Sequence, residues 1–392
     1  MAAETALQFE ALEAQAQKLM SVFIKAGHEA VAPAIIQPAD VFLDAIGEAL
    51  RARTYVFTDP DGAELCLRPD LTLPTCRLHI ARHANPAIQA RYCYNGPAFR
   101  FQPRGADETH PSEFRQAGIE RFGDSEPESA EAAAIALIIE ALSAAGLDDW
   151  SMRIGDHGIF RSVLTAAGVP ERWRQRLADA FWAPEQFRAV LKQLTTAPDA
   201  NARKLPRALL TSLKADDIEA SEAAVGAYLD ANGIELIGTR TLAEMTSHLM
   251  DVARDIDAAP LSAAAAALIE SYVAVLGPVR TCGETIGRLL KGATAGAGSA
   301  LDIYDRRLSR LESVGLDLSR VTFAAEFGRN FEYYTGLVFE VISPLFGPMS
   351  PIAGGGRYDN LLRSAGAAID VPAVGGAIHT ERLLKAVREA RA

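Results

Sequence analysis

Strand-forming sequence lies toward the two ends of this chain and helix-forming sequence fills its middle, and that division limits the folds open to it. Tyr55-Val56-Phe57 and Glu64-Leu65-Cys66-Leu67 flank Asp59-Pro60-Asp61-Gly62. Proline presets the first turn angle and glycine accepts positive φ, so this segment predicts a hairpin. Residues 91–95 and 114–122 read as further strands, separated by a polar loop at 102–112 that contains Pro and Gly. From about 156 to 315, Ala, Leu, Arg and Glu recur at helical spacing, and strand signals return at 321–326 and 336–342. The expectation is an α+β fold. A sheet-based core, residues 1–150 and 318–392, is split around a mostly helical insertion at 151–317.

Helices flank the strands. Phe9, Leu12, Ala16, Leu19 and Phe23 recur at three- and four-residue steps, predicting an amphipathic helix over 5–26 that stops at Gly27. Ser125 and Glu128 have capping-box spacing with Pro127 in the first turn, so an alanine-rich helix is expected to run to about Gly146. Two more helices are expected at about 357–365 and 380–391.

Composition narrows the class of function. The chain has 392 residues and a net charge of -11, so as a whole it does not present the basic surface that gripping a nucleic acid requires. Cys66, Cys76, Cys93 and Cys282 form no Cys-x-x-Cys pair and no zinc-spaced cluster, and they read as reduced thiols of a cytoplasmic protein that holds no metal. The N-terminus lacks the charged head and apolar core of a secretory signal. The alanine run at 263–267, flanked by Pro260 and Glu270, is too short to span a membrane.

Several clusters of polar residues carry possible chemistry. On the 114–122 strand Gln116, Gly118 and Glu120 share a face. This pattern fits either a solvent-facing stripe or a surface that grips an ammonium group, with Gly118 leaving room for a ligand. Asp70 and Thr72 follow the hairpin in a Pro-containing turn, fitting either a local Asx or Thr turn or a second ammonium contact. Arg100 ends a strand with a guanidinium suited to a carboxylate or phosphate. Tyr333 and Tyr334 are adjacent, so on a strand they would point to opposite faces. Gly354-Gly355-Gly356 precedes Arg357-Tyr358 and reads as a turn before a helix, where free N–H groups can receive an anion.

Taken together these segments resemble histidyl-tRNA synthetase, a class II synthetase. The resemblance rests on Leu67-Arg68-Pro69-Asp70-Leu71-Thr72, Gly96-Pro97-Ala98-Phe99-Arg100, Phe114-Arg115-Gln116-Ala117-Gly118-Ile119-Glu120, Arg329-Asn330-Phe331-Glu332-Tyr333-Tyr334-Thr335-Gly336, Gly354-Gly355-Gly356-Arg357-Tyr358-Asp359 and Gly375-Gly376-Ala377-Ile378-His379-Thr380-Glu381-Arg382. It implies a class II antiparallel sheet core with flanking helices. It also implies a histidine pocket built from Asp70, Thr72, Arg100, Gln116, Glu120, Arg329, Tyr333, Tyr334 and Tyr358.

The nucleotide side departs from the pattern. His379 stands where the synthetase has glycine, Gln102 replaces an acidic loop residue, and His110 falls near a later loop arginine. Asp70 replaces a glutamate and Asn330 a glycine. No anticodon-binding domain is expected after the last motif. A kept amino-acid pocket beside a damaged nucleotide pocket resembles the regulatory subunits of ATP phosphoribosyltransferase, a paralogous family. That resemblance, which includes Gly155-Asp156-His157-Gly158, implies a chain that is not itself an enzyme and binds no cofactor. It implies a short-form catalytic transferase subunit as partner, a homodimer through about residues 28–50, histidine as effector, and neither tRNA nor membrane as partner. Three alternatives stay open: a truncated synthetase that still activates histidine, a synthetase-like fold that aminoacylates something other than tRNA or only scaffolds other proteins, and a feedback site at the subunit interface rather than in this pocket.

Overall fold

The computed structural model describes residues 5–40, 42, 48–103, 105, 110–181, 183–196, 206–214, 217–234, 241–256, 258–291, 296–327 and 333–390. The strands are β1 Glu29–Ala30, β2 Ile36–Pro38, β3 Val56–Thr58, β4 Glu64–Leu67, β5 Ala90–Phe99, β6 Glu113–Phe122, β7 Ser151–Asp156, β8 Leu276–Pro278, β9 Val321–Ala324, β10 Leu337–Ile342, β11 Ala353–Arg357 and β12 Ala373–His379. Nine of them form one sheet in the order β1-β5-β6-β12-β11-β10-β7-β9-β8. Its centre, from β5 to β7, is antiparallel, and the pairs β1–β5 and β7–β9 are parallel. The predicted hairpin is β3–β4, and β2 completes a three-stranded sheet. Gly62 takes φ 88° in the hairpin turn and donates its N–H to Asp59 O at 3.0 Å.

Helices cover the large sheet for the reasons the sequence contains. The N-terminal helix Ala6–Lys25 buries Leu12, Ala16, Leu19 and Phe23 and ends before Gly27, whose φ is 83°. Phe9 is the exception among the predicted apolar positions: it stays 48% exposed beneath the Arg115 guanidinium. The alanine-rich helix runs Pro127–Ala145 and closes on left-handed Gly146. Its predicted Ser125–Glu128 capping box does not form: the N-cap is Glu126, without a side-chain hydrogen bond, and Pro127 presets the first turn instead. Small alanines let this helix lie close to the sheet, where Ile138 approaches Gly376 of β12.

The central glycines correct a second expectation. Gly354-Gly355-Gly356 is not a turn ahead of a helix. It is the middle of β11, hydrogen-bonded into the ladders of β10 and β12, so its N–H groups are not free for an anion. The strands approach so closely that a Cβ on Gly355 would lie 2.0 Å from Gly375 O. The helix expected over 357–365 shortens to Leu361–Ser364, after which β12 returns to the sheet.

The boundaries of the helical segment also shift. β7 and β8 lie within the expected insertion yet pair in the large sheet, so the compact core unit is Met1–Ala166 with Glu270–Ala392. The second unit is Ala167–Ile269. Helices Glu171–Ala180, Pro184–Thr195, Ile218–Ala231 and Leu242–Ile256 supply most of it. Inside it the Asp255 carboxylate accepts from Arg172 Nε at 2.8 Å, Trp173 Nε1 at 2.6 Å and Arg176 at 2.9 Å. The four cysteines are buried free thiols. Among the described residues no helix is long and apolar enough to cross a membrane.

Candidate functional site

A cleft opens over the middle of the antiparallel sheet. Its floor is backbone: Gly354 and Gly355 of β11 and Gly375 and Gly376 of β12. Glycine at these positions keeps the floor flat, so a small ligand can lie against the strands. Its side-chain walls are Asp70, Thr72, Gln116, Tyr333, Tyr334 and Tyr358. Six of the nine residues expected in the pocket therefore line one cleft.

The local structure explains how they converge. Thr72 opens the helix Thr72–Arg82, which starts directly after the Pro69-Asp70 turn. Arg68, 3% exposed, fixes that turn by donating Nε to Pro97 O at 2.8 Å and Nη1 to Pro33 O at 2.5 Å. Gln116 sits on β6 opposite His379 of β12. Tyr333 and Tyr334 precede β10 rather than lying on a strand, so strict alternation does not apply and both face the cleft. Their ring centroids are 4.8 Å apart. Arg329 lies outside the described residues.

Asp70 and Glu120 are the cleft's carboxylates. Asp70 accepts from Leu73 N at 3.4 Å and from the Tyr333 hydroxyl at 3.5 Å. Burial raises its pKa, and the positive charge of Arg100 opposes that rise. Glu120, 1% exposed, shares the cleft face of β6 with Gln116 and lies over Gly375, where a Cβ would meet its carboxylate at 1.7 Å. It accepts from the Tyr94 hydroxyl at 2.9 Å and from the Tyr358 hydroxyl. Burial pushes the Glu120 carboxyl up to about 7, against the pull of the Tyr358, Thr72 and Tyr94 hydroxyls toward the charged form. Tyr94 belongs to this constellation although it was not a candidate in the sequence. The available signal was its position, across β5–β6 from Gly118, whose missing side chain makes room for the Tyr94 ring.

Among the described residues one wall group has no partner: the Gln116 Oε1 atom is buried without a hydrogen bond. A buried acceptor left unpaired costs about 1–3 kcal/mol, and a ligand N–H placed in the cleft would recover that energy.

The neighbouring region, expected to be a damaged nucleotide pocket, is filled by the chain's own groups. The His379 ring stacks on Phe114, with centroids 4.8 Å apart and planes 15° apart. Its Nδ1 lies 3.2 Å from the Glu381 carboxylate, but burial dominates and pulls its pKa down to about 4, leaving the imidazole neutral at physiological pH. Arg100 does not line the cleft. It donates Nε to Pro69 O at 2.8 Å and lies 4.9 Å from the Phe114 ring centroid. Arg382 donates to Pro351 O at 3.0 Å, and the Gln102 amide donates to Pro111 O at 3.0 Å. His110 Nε2 lies 3.3 Å from the Ser350 hydroxyl.

Known proteins share this fold. The sequence matches the histidyl-tRNA synthetase family over residues 5–259 and 241–383. An ATP phosphoribosyltransferase regulatory subunit from Mesorhizobium japonicum is 34% identical over 385 residues, covering 98% of this chain and 99% of that protein. One from Agrobacterium fabrum is 35% identical over 367 residues, covering 90% of this chain and 91% of that protein. A solved structure from Bacillus halodurans, described as an ATP phosphoribosyltransferase regulatory subunit/histidyl-tRNA synthetase, has a TM-score of 0.69 at 21% identity, over 99% of this chain and 82% of that one. A histidine–tRNA ligase subunit from Alicyclobacillus acidocaldarius has a TM-score of 0.63 at 25% identity, over 100% of this chain and 96% of that one. With a synthetase-type sheet, a glycine-floored cleft and near-full-length relatives of one description, this chain belongs to the histidyl-tRNA synthetase-like family of ATP phosphoribosyltransferase regulatory subunits.

Proposed function

We propose that this chain regulates a short-form catalytic ATP phosphoribosyltransferase subunit by docking on it, and that histidine is the effector it senses in the tyrosine cleft. The carrying observation is the buried Gln116 Oε1, which has no partner among the described residues, in a cleft that also presents the Asp70 carboxyl. An amino acid's ammonium group has three N–H donors, enough for Gln116, Asp70 and the Thr72 hydroxyl together. The tyrosine rings supply flat walls for an imidazole, and Glu120 accepts from the Tyr358 hydroxyl and so fixes that ring. Arg100 acts at one remove, through its charge on Asp70. Arg329 is carried as a carboxylate ligand on resemblance alone.

The chain performs no chemistry in this account. The stacked His379 ring and the internally bonded Arg382 favour a cleft that holds the amino acid without a nucleotide. Histidine acts by binding one state of the complex more tightly than the other. A homodimer through residues 28–50, a cytoplasmic location and independence from tRNA complete the reading. Calorimetric titration of the chain with L-histidine tests the cleft directly. One site per chain is expected, with imidazole alone binding far more weakly because it lacks the ammonium. Saturation with histidine producing no heat, or equal affinity for imidazole, removes the cleft from the account.

A further inference from the structure

A second cavity, with about 930 Å³ of empty space, lies in the core unit apart from the tyrosine cleft. Three helices begin around it: Pro127–Ala145, His157–Ala166 and Gly296–Ser313. Its charged wall groups are Arg306, Arg307, Arg357, Glu128, Glu131 and Asp156, three cations against three anions. They pair with one another. Arg307 donates Nε to Glu131 at 2.6 Å, makes a longer 3.4 Å contact to the same carboxylate, and bonds Asp156. Arg357 donates Nε to Glu131 at 2.6 Å and reaches Asp359 and Pro127 O. At the mouth, Arg306 bonds Glu128 at 2.9 Å. Asp156 also accepts from Ile159 N at 2.9 Å.

The charges cancel but the donors do not. A guanidinium carries five N–H groups in a fixed fork. Arg307, 3% exposed, bonds through each of its three nitrogens and uses three of these N–H groups; the other two have no acceptor among the described residues. Arg306 uses two, both on one Glu128 oxygen. Each helix start adds a partial positive charge. The wall is therefore rich in donors, and its carboxylates are already neutralised by their own arginines. The apolar groups Ile159 and Ile303 lie in the same wall. Donors on one part of the wall and aliphatic surface on another describe a ligand with a phosphate at one end and a planar body at the other.

We propose that this cavity is a second small-molecule site, and that it takes a phosphomonoester of nucleotide size. The phosphate takes up the unused guanidinium N–H groups, its oxygens being strong acceptors. Arg306, with a side chain 58% exposed, keeps Nε and Nη2 on Glu128 and offers its remaining N–H groups to the ligand. The inference does not depend on what the tyrosine cleft binds.

The full chain titrated with adenosine 5′-monophosphate, with adenosine as the phosphate-free control, tests it. The nucleotide is expected to bind at one site and the nucleoside at least about ten-fold more weakly, as loss of a charge-assisted hydrogen bond implies. Arg306→Gln, at the exposed mouth, should weaken nucleotide binding by a similar factor. Ser162→Tyr, which projects a ring into the cavity, should abolish it, and circular dichroism establishes that each variant folds. No binding at millimolar nucleotide overturns the proposal. So does equal binding of the nucleoside, affinity unchanged in Arg306→Gln, or displacement of the nucleotide by saturating L-histidine, which would place it in the tyrosine cleft.

Discussion

Replacing Gly355 by alanine will destabilise the core by about 3 kcal/mol, near the upper end of what overpacking costs. The new methyl would sit 2.0 Å from Gly375 O and 2.6 Å from Gly376 Cα, both backbone atoms of the neighbouring strand. No side chain can rotate away to relieve that contact, so β11 and β12 must separate and lose ladder hydrogen bonds. A thermal melt followed by circular dichroism should show Tm falling by roughly 5–10 °C. Gly298→Ala is the matched control: its helix position has nothing within 4 Å of the added methyl, and it should be neutral or slightly stabilising. A Gly355→Ala melt within about 2 °C of wild type would show that the strands are not in such close contact.

Glu120→Gln will move stability and ligand binding in opposite directions. Burial holds the Glu120 carboxyl up to about 7, against 4.5 for an ordinary glutamate. A raised folded-state pKa means the group supports the fold while protonated. That support is complete below about 4.5 and is lost as pH rises through about 7. Glutamine resembles the protonated form in shape and stays neutral, so at pH 8 the variant should melt no lower than wild type. Histidine binding should nevertheless weaken by roughly 10–100-fold, because the ligand's ammonium group loses a nearby negative charge. Wild type should gain affinity relative to the variant as pH rises from 6 to 8, since ionisation of Glu120 favours an ammonium. Calorimetry of both proteins across that range measures the difference. Parallel affinities would mean that Glu120 serves the fold and not the ligand.

Much of the cleft was legible through the resemblance to histidyl-tRNA synthetase. The residues alone left Gln116 with Glu120, and Asp70 with Thr72, open between ordinary polar surface or turn and ligand contact. What failed was geometry that the local pattern does not encode. Gly354-Gly355-Gly356 has no side chains to alternate, so a strand at the centre of the sheet read as a turn. Tyr333-Tyr334 was judged by strand periodicity, whereas the pair precedes β10 and both rings turn into the cleft. Ser151–Asp156 is short and carries Arg153 and Asp156, which concealed a strand paired on both sides. Tyr94 was overlooked because its partner, Glu120, is 26 residues distant and reached only through strand pairing. Arg100 had the right residue type, but its Nε is bonded to Pro69 O, and its charge acts on Asp70 from outside the cleft lining.

Phosphoribosyl transfer by a short-form catalytic subunit, measured with and without this chain while L-histidine is titrated, tests the regulatory account most directly. The account predicts that adding the chain changes the transfer rate and that histidine inhibits the complex at concentrations that fill the cleft. An identical rate and an identical histidine response with and without the chain would contradict it.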